Sequence, residues 1–221
     1  MHERDKELAA LAALDEVRPG MVVGLGTGST AAHVIRHLGE RVRGGLAVTA
    51  VATSHASEAM ARAAGITLRD FADLSDVDLA IDGADEIDDG LRCIKGAGGA
   101  MLREKIVATA ARRMVVVADG SKRVAALGRA PVPVEVLPFA LAFARARLEA
   151  LGARVTLRMA VATPYRTDQG NPVLDCAFPA LPDPAAIAAI PGVLGHGLFL
   201  TEVDAAWIAT DGTVTRLERQ G

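Results

Sequence analysis

Aromatic side chains are scarce in this chain: five Phe, one Tyr and one Trp among 221 residues, although 51% of the residues are hydrophobic. A core built on large rings is thereby excluded, and small aliphatic packing between helices and a sheet is expected. The two cysteines, Cys93 and Cys176, lie far apart and form no C-x-x-C pattern, which excludes a disulfide framework or a cysteine zinc site and fits a reducing cytoplasm. Basic residues are not in excess. With 24 Lys and Arg against 27 Asp and Glu, the net charge of -3 argues against a nucleic-acid partner, because no surplus exists to neutralise phosphates along a groove. No apolar run approaches the ~18 residues needed to cross a bilayer. The opening MHERDKELAALAAL carries acids and is charged before it is apolar, unlike a targeting peptide, so no membrane partner and a cytoplasmic location are expected. Repeats and low-complexity segments are also missing. The length suits one large domain or one and a half.

What is present is an alternation of apolar runs and helical patterns. Leu8, Leu11, Leu14 and Val17 recur at helical spacing, and Pro19-Gly20 closes that helix. MVVGLG (Met21 to Gly26) reads as a buried strand running into GLGTGST. The following helix carries Ala31, Ile35, Leu38 and Val42, with Ser29 or Thr30 as its cap. Further strands are expected at Leu46 to Ala52, Ile66 to Asp70, Val77 to Ile81 and Met114 to Asp119, with helices to about Ala64 and from about Ala100 to Arg112. Strands alternating with helices imply a mostly parallel sheet with helices on both faces, a Rossmann-like α/β fold. Near Gly128 the texture changes. The three prolines of APVPVEVLP suit a linker or an edge strand, and the remainder reads β-α-β-β-α-β, a smaller α+β domain of the ferredoxin-like kind. A hairpin about Asp211-Gly212 is expected to rejoin the first sheet. The expected division is therefore 1–128 with 202–221 as one domain and 129–201 as the other.

Two stretches carry candidate chemistry. In Gly24 to Thr30, three glycines between a strand and a helix form an anion cradle, since glycine admits a close backbone and the helix start presents free amides. The spacing is neither G-x-G-x-x-G nor a P-loop, which leaves a phosphate monoester site or a bare turn. The second stretch, DGADEIDDGLRCIKGAGGAMLREK (Asp82 to Lys105), crowds acids around Lys95 directly after a buried strand. Asp82 and Asp85 flank Gly83-Ala84 where side chains emerge at the cleft of an open sheet, although Asp also stabilises plain turns. A DGAD turn could hold Mg²⁺, but Lys95 competes for that electrostatic role, and no metal is assigned. Glu104 sits one turn into a helix, on a stripe with Ala100, Ala108 and Ala111. Small neighbours let it face packed protein, where desolvation raises a carboxylate toward a useful general base; an ordinary charged surface run is the other reading. His33 and His37, at i and i+4, lack the Glu of H-E-x-x-H and read as a solvated flank, and Cys93 reads as packing.

GLGTGST, IDGADEID, KGAGGAMLREKIVA, VADGSK, PVPVEVLPFA and IPGVLGHGLF occur in one order, and this series resembles the A-type ribose-5-phosphate isomerases over essentially the whole chain. The resemblance implies interconversion of D-ribose 5-phosphate and D-ribulose 5-phosphate through an enediolate, without a cofactor. It implies that Thr27, Gly28, Ser29 and Thr30 bind the phosphate or adjoining hydroxyls, and that Asp82, Gly83, Ala84 and Asp85 line the sugar. Lys95, Gly96, Ala97 and Gly98 would contact the reacting end, Glu104 would move the proton, and Lys122 would add a substrate contact. Lys6 corresponds to a first-helix lysine near the phosphate. A homodimer or homotetramer is implied as well. The chain departs from the family pattern at Ala97, where a methyl group would restrict φ > 0, and at Ala162 to Arg166. An amino-sugar phosphate deaminase, an acyl-CoA transferase or a sugar-phosphate sensor domain are the rival classes. The DGAD, KGAGG and REK set disfavours the two enzymes, and no basic helix supports the sensor.

Overall fold

The computed structural model describes residues 2–219. Its first layer is helix α1 (His2–Leu14), followed by β1 (Val22–Leu25), α2 (Ser29–Arg43), β2 (Thr49–Ala52), α3 (His55–Ala63) and β3 (Leu79–Asp82). Two very short strands, β4 (Glu86–Ile87) and β5 (Cys93–Ile94), precede α4 (Met101–Ala110) and β6 (Met114–Asp119). Then come β7 (Val132–Val136), α5 (Leu141–Ala150), β8 (Arg154–Leu157), β9 (Met159–Ala160), β10 (Thr163–Pro164), β11 (Val173–Ala177), α6 (Pro184–Ala188) and β12 (Val193–His196). The chain closes with β13 (Leu198–Phe199), β14 (Ala205–Thr210) and β15 (Thr213–Glu218).

The main sheet has the order β15-β14-β6-β3-β1-β2, parallel except for the edge strand β15. This is the α/β fold the alternation implied. Because side chains alternate across a strand, Val23, Leu25, Leu79, Ile81, Val115 and Val117 pack under α1 and α2, whereas Ala80, Met114 and Val116 pack under α4. Asp82 follows Ala80 by two residues and so projects on the α4 side, toward the helix that carries Glu104. Each fully buried Leu or Ile in these layers contributes about 1.5–3 kcal/mol by leaving water. The Asp211-Gly212 hairpin forms as expected, with both residues at positive φ, 50° and 83°.

Several local expectations are corrected. Helix α1 stops at Leu14 and buries Ala9, Ala10, Ala13 and Leu14 rather than a stripe through Leu11, since small residues let it lie close against α2, β6 and β14. Of the strand expected at Ile66 to Asp70, only a single bridge from Leu68 to Ala50 is made. Residues Leu46 to Val48 lie outside β2. Proline-rich β7 is not at an edge: the order of the four-stranded antiparallel sheet is β12-β7-β11-β8, and all five β7 residues are buried. The missing amide of Pro133 costs nothing there. The Pro133 carbonyl accepts from Gly197 N–H at 2.8 Å, and the Gly197 carbonyl that would have met a Pro133 amide takes Lys95 N–H instead, at 2.9 Å.

That exchange ties the small sheet to the lysine. A three-stranded sheet ordered β13-β5-β4, invisible to periodicity because its strands are two residues long, fixes Cys93 between Phe199 and Ile87 and Ile94 between Leu198 and Glu86. Lys95 therefore leaves from the end of a held strand. Both cysteines are buried and unpaired, and burial pushes each thiol up to about 12, which agrees with packing roles. No described helix is long and apolar enough to cross a membrane.

Candidate active site

At the carboxyl ends of β1 and β3 the two glycine-bearing stretches meet. The three glycines of the first have separate reasons to be there. A Cβ on Gly24 would lie 2.6 Å from Val107, and one on Gly26 would lie 2.0 Å from the Asp82 carboxylate. These two make room for α4 and for Asp82, not for a phosphate. Gly28, at φ 100°, is the residue that turns the chain into α2. Contrary to expectation, neither Ser29 nor Thr30 caps the helix: the N-cap is Gly28 and no side chain accepts from the first turn. The α2 amides are consequently left free, with the positive end of the helix dipole behind them. Thr27 holds the loop by its hydroxyl, 2.9 Å from that of Thr53, while Ser57 Oγ donates to the Gly26 carbonyl at 2.6 Å.

Asp82 lies under the cleft, 3% exposed. Its Oδ1 accepts from the amides of Thr27 (2.9 Å) and Gly83 (2.7 Å), and its Oδ2 stands 2.9 Å from Lys95 Nζ. With two amides on one oxygen and the ammonium on the other, it acts as the hub joining the phosphate loop to the lysine. Lys95 is 2% exposed; it also donates to the Gly83 carbonyl, and its ammonium lies 5.5 Å from the centre of the Phe199 ring. Burial works against its charge, but the carboxylates of Asp82 and Glu104 outweigh that and hold it above the usual lysine value. It is not a solvated loop lysine.

Glu104 enters from α4, 4% exposed, with Oε2 3.4 Å from Lys95 Nζ. That contact is ionic, and Oε2 makes no hydrogen bond. Burial first, then the nearby Asp82 and Asp85, push this carboxyl well above its ordinary value, against the opposing pull of Lys95. A desolvated carboxylate with an undonated oxygen is a proton acceptor in waiting. The surface-run reading of Arg103-Glu104-Lys105 fails for Glu104 and also for Lys105, which is 22% exposed and bound to Glu202 at 2.8 Å, its ammonium 4.0 Å from the centre of the Phe199 ring.

Thr27, Gly28, Ser29, Thr30, Gly83, Ala84, Asp85, Lys95, Gly96, Ala97, Gly98, Glu104 and Lys122 line one cleft of about 100 Å³. Asp85 reaches across it to accept from Ala97 N–H at 2.8 Å. Ala97 is not at positive φ, while Gly96 (98°) and Gly99 (78°) on either side are, so the methyl group at this departure from the family pattern needs no glycine. Lys6 does not line the cleft; its ammonium pairs with Glu3 of its own helix at 2.6 Å. Glu86, Asp88 and Asp89 all stand apart from it, but only Asp89 is exposed. Glu86 accepts from Gly128 and Ala130 N–H and Asp88 from Gly90 and Arg92 N–H, each buried carboxylate pinning a loop. His33 and His37 bridge α2 to Glu3 and Glu7 of α1 and are not a solvated flank, since only 16% and 14% of their side chains are exposed. Among the described residues no three His, Cys, Asp or Glu side chains are grouped for a metal ion.

A larger cavity of about 400 Å³ lies between α3 and α4, bordered by Arg62, Arg69, Phe71 and Arg103. None of its charged side chains is buried, and the smaller cleft is the site with chemistry. Sequence reasoning missed Phe199, on which Lys95 rests, and Thr53 and Ser57, which brace the phosphate loop. Only the order of apolar and hydroxyl residues could have hinted at them.

Comparison with known proteins shows which family the chain resembles. The family model described as ribose 5-phosphate isomerase A (phosphoriboisomerase A) matches residues 49–213. A ribose-5-phosphate isomerase A from Sphingopyxis alaskensis is 57% identical over 221 residues, covering 98% of this chain and 96% of the relative. A D-ribose-5-phosphate isomerase solved in complex with phospho-erythronic acid superposes with a TM-score of 0.95 at 37% identity, covering 99% of this chain and 100% of the other. The enzyme from Plasmodium falciparum superposes at 0.94 and 33% identity, covering 99% and 100%.

Proposed function

This chain belongs to the ribose 5-phosphate isomerase A family and interconverts D-ribose 5-phosphate and D-ribulose 5-phosphate, a step of the pentose phosphate pathway; from that premise we propose how its own residues divide the work. Glu104 removes the C2 proton of the open-chain aldose and returns it to C1. Between those transfers the negative charge sits on the C1 oxygen of an enediolate, met by Lys95 and by backbone amides of the Gly96 to Gly98 turn. Asp85, on the cleft wall, carries the hydroxyl proton from O2 to O1 and assists ring opening. Asp82 orients Lys95 from below. The phosphate is held at the free amides of α2 by Thr27, Gly28, Ser29 and Thr30, with Lys122 from the turn after β6, while Gly83, Ala84 and Ala97 shape the sugar's slot.

One observation carries this assignment: a buried carboxylate oxygen without a donor, 3.4 Å from a buried ammonium, in the same cleft as an uncapped helix start. Proton transfer by a placed base is worth about 10²–10⁴-fold. The chemistry balances with no redox group, because the proton lost from C2 is the proton gained at C1. The test is turnover of ribose 5-phosphate by EDTA-treated protein, following ribulose 5-phosphate. Activity is expected without added metal; recovery only on adding a divalent ion would sink this division of labour.

The same reading takes residues 1–128 with 202–221 as the catalytic body, 129–201 as the smaller domain, the cytoplasm as the location and self-association as a homodimer or homotetramer. Exposed Leu137 and Phe139 between β7 and α5, Phe143 on α5 and Leu194 on β12 support the last point. Sedimentation at assay concentration checks it, and a monomer would refute it.

A further inference from the structure

We propose that Arg158 is a positioning residue for the isomerisation, holding the lysine turn so that the Gly98 amide faces the reacting oxygen; this rests on the assignment of that turn as the enediolate's donor. Arg158 lies between β8 and β9, at the end of the small sheet and far from the acids in sequence. Its backbone is locked there, donating to Val173 O and accepting from Tyr165 N–H, both at 2.9 Å. Asp175 grips its guanidinium at two points, Nε to Oδ2 at 3.0 Å and Nη2 to Oδ1. The remaining nitrogen, Nη1, donates to the carbonyls of both Gly96 (2.9 Å) and Ala97 (3.1 Å). Tyr165 Oη donates to the next carbonyl, Gly98, at 3.1 Å.

Three consecutive carbonyls of the turn are therefore held from the small-sheet side. In a trans peptide the N–H points away from the preceding C=O, so these bonds dictate where the amides go. The amide after Gly96 meets Asp85, and the amide after Gly98 meets the Gly96 carbonyl at 2.9 Å. The amide after Ala97, that of Gly98, makes no hydrogen bond among the described residues, and Gly98 lies on the cleft lining. Of these three amides it is the one left to offer. Asp175 makes the arginine rigid, because a guanidinium gripped at two nitrogens keeps a fixed plane. Tyr165 belongs to the stretch that departs from the family pattern, and a Cβ on Gly99 would lie 2.2 Å from its hydroxyl, so this chain seats its own strap on the turn.

Arg158→Met, Arg158→Lys and Asp175→Asn are compared with wild type in kcat, KM, melting temperature and affinity for phospho-erythronic acid. One lost oxyanion donor costs about 10²–10³-fold in kcat. A loosened donor should cost less: Arg158→Met is expected to lose about 10–10²-fold in kcat with KM changed less than about threefold. Methylguanidinium should restore about tenfold of it, and Arg158→Lys, a point charge without a fork, should recover little. Asp175→Asn should show a smaller loss of the same form. A kcat within twofold of wild type, a loss confined to KM, or a loss that methylguanidinium leaves untouched in a protein of unchanged melting temperature would each overturn the proposal. Failure of the underlying assignment looks different: a variant that has lost kcat would then bind phospho-erythronic acid as tightly as wild type, because the turn would not be the donor to the reacting end.

Discussion

Glu104 on α4 and Glu135 on β7 are both buried, and each has an Oε2 that makes no hydrogen bond. Burial pushes both carboxyls above their ordinary value. Their surroundings then diverge. Glu135 Oε1 accepts from Thr167 Oγ1 and Asn171 Nδ2, both at 2.8 Å, in a closed polar knot that pins the turn before β11. Glu104 has an ammonium at 3.4 Å, two further carboxylates near it and an opening to the cleft. Desolvation alone thus makes a carboxyl basic but not useful. A neighbouring cation to receive developing charge and a route for substrate turn the same perturbation into chemistry.

The sharpest way to break this contrast is by paired amide substitutions. Glu104→Gln is expected to lower kcat by about 10²–10⁴-fold with little change in KM, whereas Glu135→Gln should leave kcat within about twofold. Comparable losses in both would mean that the two sites are not distinct in kind. Lys95→Met comes next, since it strands Asp82 and Glu104 as unpaired buried charges; a destabilisation of about 3–5 kcal/mol, read from urea melts, should accompany its loss of turnover.

The pH profile separates the two glutamates more gently. Glu104 must be ionised to act as a base and its value is raised, so kcat/KM should fall on an acid limb lying clearly above the ordinary carboxylate range. A limb placed at the value of a free glutamate would overturn the role given to Glu104. For Glu135 the readout is stability. A carboxyl raised by folding stabilises the native state most below its unfolded value, and that contribution is lost as pH rises through the folded value. Glu135→Gln should therefore match wild type near pH 4 and melt slightly higher near pH 8, by about 2–4 °C if the gain is about 1 kcal/mol. A variant that is less stable at both pH values would show that the hydrogen bonds to Thr167 and Asn171 require the ionised form.

Much of the site could be read before any coordinates. Glycine spacing, the DGAD turn and the KGAGG turn are local features, and local features survive in sequence because their backbone demands are met within a few residues. The reasons attached to them were less secure. Gly24 and Gly26 looked like phosphate glycines but make room for Val107 and Asp82, contacts 83 and 56 residues away in the numbering. Glu86 and Asp88 could not be told from Asp89 by composition, since each is buried only because a distant or following loop returns to it. The strands β4 and β5 escaped because two residues carry no period.

By itself, the sequence determined the alternation of strands and helices, the two glycine-bearing turns, the inventory of titrating groups and the family resemblance, all of which depend on short-range pattern. Only the tertiary structure decided that Glu104, not its neighbours Arg103 and Lys105, faces the cleft, that Lys95 is buried between two carboxylates, and that a proline-rich strand lies inside a sheet and leaves the Gly197 carbonyl to Lys95. The physical reason is the same each time. Desolvation and charge pairing are properties of what surrounds a group, and those surroundings are assembled from parts of the chain that pattern cannot join.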